Sequence, residues 1–403
     1  MNFSLRQSLR IVAATMILAY AASARTWTDV QGRKLEADLV SSNGTEVTLK
    51  LDSGKTVSIP LAKLSGEDRK FLSEQADKDD GAQAADKESL NFNQPWPDNV
   101  KFDEDPRIET VLEDGDAKRF VYESASFRFV CDVRLSKQVV KGFAVMFEST
   151  FAYCRALPLA ITGGVKTDGK FQILLFEKKE DYVAAGGPPS SAGVFMGGKQ
   201  VVMVPLTSIG VKQVGSGYML DRDVSNRTLV HELTHQLTPR PYFGPGAMGW
   251  FTEGIAEYVA ATPYRQGRFK VKSNFDDIVA YATGYGKEND GGRALGQEIM
   301  APSLKDYFQM PYSAFTGTDA NFNYGLALML TTYFLHLDGE GDAARMKQFL
   351  KALRDGKKGQ EAIDVLLGGR SYQEMEEAIS KGWRRKGVKI EFQKSTGGSA
   401  SGG

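Results

Sequence analysis

Histidine is scarce in this chain: His231, His235 and His336 are the only three among 403 residues. A motif that needs two of them at a fixed spacing therefore rarely arises by chance. Cysteine is scarcer still, with Cys131 and Cys154 alone, which excludes a scaffold stapled by several disulfides and allows one bridge at most. Charge of neither sign is in excess, since 50 Lys and Arg stand against 50 Asp and Glu without a run of five like charges. The clustered basic face that nucleic acid or an anionic membrane requires is missing, so no nucleic-acid partner is expected. No G-x-S-x-G elbow occurs, which removes a common serine-hydrolase arrangement. The apolar run over residues 11–22 falls short of the roughly 20 residues needed to cross a bilayer. No later stretch meets that requirement.

What is present is an ordinary globular composition, 42% hydrophobic and 25% charged, with length for two or three domains. Glycine, at 42 residues, exceeds the usual ~7% and predicts many tight connections. Arg6 and Arg10 precede the apolar run, and Ala22-Ser23-Ala24 follows it as a small-residue cleavage site. Residues 1–24 thus read as a secretory signal, with the mature chain starting at Arg25 in the periplasm or outside the cell.

Residues 25–29, 35–40, 47–51 and 55–60 are short alternating runs separated by Gly32, Asn43-Gly44 and Ser53-Gly54, which predicts a small β module over 25–72 closed by a helical turn. Its "RTWTD" start, "GR" turn and closing "IPLAKLS" resemble the SH3-like barrel of the Sla-type homology domain. That resemblance implies a binding adaptor, with a peptide or a surface ligand as its partner; a spacer is the other reading. Residues 73–99 turn to Asp, Ala, Lys, Gln and Ser and read as a linker.

The remainder, 100–393, is expected to form one domain before a Gly/Ser-rich, disordered tail at 394–403. Runs at 120–123, 127–133 and 171–176 predict strands, and 136–155 an amphipathic helix, so a mixed sheet carries a packed helix. Residues 193–204 read as a glycine-flanked hairpin with Pro205 at a strand end, and the pattern from about residue 225 is mainly helical. Cys131 on its strand and Cys154 on its helix face the same core. A bond between them and two buried free thiols both remain open.

His231-Glu232-Leu233-Thr234-His235 is an H-E-x-x-H sequence in an expected helix, with Ser225 as candidate N-cap and Pro239 and Pro241 beyond its end. Four residues turn a helix by about 40° past a full turn and advance it by ~6 Å, so both imidazoles can reach one metal. Leu229, Leu233 and Leu237 form a separate anchoring stripe. A third ligand is sought in Gly249-Trp250-Phe251-Thr252-Glu253-Gly254-Ile255-Ala256-Glu257-Tyr258. This pair of motifs resembles the gluzincin clan of zinc metallopeptidases, and in outline the chain is similar to secreted bacterial proteins with a peptidase-MA-like domain.

The resemblance implies an α+β, zincin-like fold: a mixed sheet, an active-site helix and a C-terminal helical subdomain. It implies His231, His235 and Glu253 as zinc ligands, Glu232 as general base, Glu257 orienting a histidine, and an edge strand within 193–204 that receives a peptide or protein substrate. A downstream Tyr324 is the candidate oxyanion donor, with a packed core tyrosine as the alternative. His336, deep in an apolar run, is expected to be packed. The function expected is peptide-bond hydrolysis. A catalytically silent fold that binds peptides or wall polymers, and a zinc amidase of wall cross-links, are the rivals.

Overall fold

A computed structural model describes residues 25–42, 46–51, 55–72, 90–102, 105–222, 224, 227–284 and 292–395. The expected signal 1–24, Ser225, the turns at Asn43-Gly44 and Ser53-Gly54, residues 73–89 and the tail from 396 lie outside them.

The first unit is a four-stranded antiparallel sheet in sequence order, β1 (Arg25–Thr28), β2 (Lys34–Ser42), β3 (Glu46–Leu51) and β4 (Thr56–Pro60). Strand alternation puts Trp27, Ala37, Val47 and Leu49 on one face, where they form a separate small core with Leu64 and Leu72. A 3-10 turn at Leu61–Lys63 and a helical stretch over 66–72 close it. Buried Asp68 clamps the closure, accepting from Arg25 at 2.7 Å and from the Thr28 amide at 2.7 Å.

The second unit begins earlier than composition suggested. Residues 90–99, assigned to the linker, are packed into it: the Asn91 amide donates to the carbonyls of Arg155 (2.7 Å) and Leu157 (2.8 Å) and accepts from the Ala160 amide (2.8 Å). Phe92 is buried, and β5 (Asn99–Lys101) joins a small sheet. The linker was read from polar composition, but these polar groups satisfy backbone atoms at the end of a helix.

Strands β6 (Glu109–Asp114), β7 (Arg119–Glu123) and β8 (Phe127–Cys131) lead through helix α1 (Lys137–Ala156) to β9 (Phe171–Phe176). Helix α2 (Lys179–Ala184) then precedes the hairpin β10 (Val194–Met196) and β11 (Val201–Pro205). Together they make a mixed six-stranded sheet in the order β10-β11-β9-β8-β7-β6, parallel at β11-β9-β8 and antiparallel elsewhere. Ser136 caps α1 by accepting from the Val139 amide at 3.3 Å. The α1 stripe of Val140, Phe143, Phe147, Phe151 and Cys154 is buried on Phe127, Phe129 and Cys131 of β8. Phe129 meets Phe147 edge to face at 5.0 Å. Cys131 and Cys154 are free and buried, and burial pushes both thiols up to about 12. The unforeseen β6 is an outer strand with Val111 and Leu112 exposed, so it carries no alternating signal.

A hairpin, β12 (Val211–Val214) and β13 (Gly217–Leu220), precedes α3 (Arg227–Leu237) and α4 (Thr252–Ala261). Beyond them the chain is not purely helical: β14 (Tyr264–Arg265) pairs with β15 (Arg268–Lys270), which pairs with β5, and β16 (Glu298–Ala301) pairs in parallel with the last strand, β17 (Lys389–Phe392). These strands are two to four residues long, too short to show a period. The helices are α5 (Phe275–Thr283), α6 (Leu304–Phe308), α7 (Tyr312–Phe315), α8 (Ala320–His336), α9 (Ala344–Arg354), α10 (Gly359–Leu367) and α11 (Tyr372–Arg384). The class is α+β, as expected.

Helix α4 is buried along its whole length between α3 and α8. Gly254 permits the close approach to α8, because a Cβ there would lie 2.1 Å from the Thr331 hydroxyl and 2.6 Å from the Ala327 carbonyl oxygen.

Candidate metal centre

Leu229, Leu233 and Leu237 are buried and fix α3 in the core, with His231 and His235 turned toward α4. His231 and His235 then lie one above the other. Their Nε2 atoms are 3.0 Å apart, and each is 3.1 Å from Oε2 of Glu253 in the first turn of α4. Three atoms with lone pairs thus point at one spot. Protons satisfy such a triangle poorly, since two Nε2–H groups aimed at one oxygen would face each other, whereas a shared cation satisfies all three. A tetrahedral zinc with bonds of about 2.0–2.1 Å would set its ligands about 3.3 Å apart, within a few tenths of an ångström of the observed spacing. The donor set fits a divalent ion.

The surroundings hold this triangle. His231 Nδ1 is 2.9 Å from Glu257 Oε1, one turn beyond Glu253, which fixes the ring and leaves Nε2 for the centre. Glu257 is itself gripped by Arg293, whose Nε and Nη2 donate at 2.8 and 2.5 Å. The Tyr312 hydroxyl donates to the second oxygen of Glu253 at 2.6 Å. Burial alone would push the His231 ring down, but the carboxylates of Glu253 and Glu257 hold its proton and raise it to about 10. The attraction that retains a proton there would retain a cation in its place, with the proton released. Burial pushes Glu253 up, yet the two histidines outweigh it and hold the carboxyl well below the usual range.

Glu232 behaves in the opposite way. Burial raises its pKa, and the pull of His231, His235 and the Phe195 amide only partly offsets this. That amide, on β10 at the outer edge of the sheet, donates to Oε2 of Glu232 at 2.8 Å. The hairpin read at 193–204 therefore borders the site directly.

The structure brings His231, Glu232, His235, Glu253 and Glu257 together. Glu257 pairs with a cation, but as a buried residue. Tyr324 is half-buried, its ring 5.9 Å from that of His231 and 4.9 Å from the Arg293 guanidinium, and its hydroxyl has no hydrogen-bond partner among the described residues. His336 is packed, its Nε2 2.8 Å from the Tyr258 hydroxyl and its ring 4.9 Å from Trp96. The sequence reading missed Tyr312, Arg293 and the Phe195 amide. None belongs to a motif with fixed spacing: Tyr312 follows Glu253 by 59 positions and Arg293 follows Glu257 by 36, and a backbone amide has no residue identity to read.

The family model for SLA1 homology domain 1 matches residues 19–79, spanning the first unit. No curated protein matches the chain. No helix among the described residues is long and apolar enough to cross a membrane.

Proposed function

We propose that the chain is an exported zinc-dependent metallopeptidase, with His231, His235 and Glu253 as the zinc ligands and Glu232 as the general base. The reading rests on one observation: three ligand atoms lie 3.0–3.1 Å apart beside the half-buried Glu232 carboxylate, whose proton affinity is raised. Zinc held there would supply a Lewis acid for a carbonyl and a means of acidifying water to a pKa of about 7.

The residues do the rest. Glu232 has the environment of a working base, because a carboxylate pushed up by burial is closer to the pH at which proton transfer is efficient. With Oε2 held by the Phe195 amide, Oε1 takes a proton from water and returns it to the leaving amine. A substrate backbone laid along the open edge of β10 meets this carboxylate by strand addition, which favours an extended peptide. Tyr324, whose hydroxyl is uncommitted, donates to the developing oxyanion; Tyr312 is already engaged by Glu253.

The zincin-like fold and an SH3-like first unit that docks a peptide or surface ligand belong to the same reading. The deciding experiment measures the zinc content of the mature protein and its cleavage of a mixed peptide library, beside the Glu232→Gln variant. Zinc at one per chain with cleavage only by the parent supports the proposal. Bound zinc and bound peptide without turnover would favour the silent binding protein.

A further inference from the structure

The two carboxylate oxygens of Glu253 have different partners. Oε2 lies 3.1 Å from both imidazoles, while Oε1 accepts from the Tyr312 hydroxyl at 2.6 Å. The phenol is held from below: its ring lies parallel to that of Phe315, at 2° and 6.4 Å. Buried Phe315 rests on Gly249, where a Cβ would come within 2.8 Å of the ring and where φ is +70°. The carbonyl of Gly249 also accepts from the Glu253 amide at 3.0 Å. One glycine therefore sets both the start of the helix that carries Glu253 and the platform under Tyr312.

We propose, on the basis of the metallopeptidase reading above, that Tyr312 is a positioning residue that confines Glu253 to a single donor oxygen. A carboxylate free to rotate can present both oxygens to one cation. The hydrogen bond from Tyr312 removes that choice and keeps the protein's contribution at three atoms.

Cobalt(II) uptake tests this without reference to turnover. In Tyr312→Phe the ring still packs on Phe315, but the donor is gone. The visible bands of bound cobalt should weaken and shift as its coordination number rises, and metal affinity should change by about tenfold or more, the usual effect of losing a partner of a ligand. In a Glu253→Gln background the same substitution should leave cobalt affinity unchanged, because the coupling runs through that carboxylate. Identical spectra and affinities for the parent and Tyr312→Phe overturn the inference and leave the metallopeptidase reading intact. A parent protein that takes up no cobalt overturns both.

Discussion

Replacing Arg293 with methionine removes the charge that faces Glu257 while keeping an apolar stem against the Tyr324 ring. Glu257 is about 1% exposed and takes two hydrogen bonds from the guanidinium. The carboxylate keeps His231 and the Tyr281 hydroxyl beside it but loses the guanidinium's charge. Breaking a buried pair by removing one member costs about 3–5 kcal/mol. Over residues 90–395 an unfolding entropy of ~2.1 cal/mol/K per residue gives ~0.6 kcal/mol per degree, so a loss of ~3 kcal/mol lowers the melting temperature by ~5 °C. Adding Glu257→Gln should recover part of that loss, because no orphaned charge remains. Zinc affinity of the single variant should fall by about tenfold or more, since Glu257 orients His231. Calorimetric melts of the metal-free proteins and competition with a chromophoric chelator measure both quantities. A melting temperature within about 1 °C of the parent, together with unchanged zinc affinity, would refute the view that Arg293 supports the centre through Glu257.

Glu232→Gln should bind zinc as the parent does and lose cleavage; an unchanged rate removes Glu232 as the base. Burial holds His336 down at about 4 against 6.5 in the unfolded chain, so its contribution to stability is complete above pH 6.5 and is lost as pH falls through about 4. The difference amounts to roughly 3 kcal/mol, and urea titrations between pH 4 and 7 should show that slope in the parent and not in His336→Phe. Gly254→Ala gains helix propensity of about 1 kcal/mol but collides with Thr331 and Ala327, for a net loss of about 1–3 kcal/mol. A melt of this variant at or above the parental temperature would show that α4 and α8 can separate without penalty.

The parts of the molecule legible in the sequence are those built on a repeating period or a fixed spacing. Alternation gave β1 to β4 and β8, a short apolar run gave β9, and the stripe from Val140 to Cys154 gave α1, which buries that face. His231, Glu232 and His235 were legible because four residues on a helix place two rings together, and Glu253 because its motif resembles a known one. The remaining elements depend on partners far along the chain. β15 pairs with β5, and β16 with β17, across long separations, and Asn91 is a structural residue only because helix α1 ends beside it. Tyr312 and Arg293 support the centre from loops and short helices whose local sequence carries no chemistry of its own.

The stitching of residues 90–101 into the second unit, through Asn91, Phe92 and β5, fixes where that unit can be trimmed. A truncation at residue 100 would strip the carbonyls of Arg155 and Leu157 and the amide of Ala160 of the side chain that satisfies them, so an isolated second unit has to keep the segment from residue 90 onward.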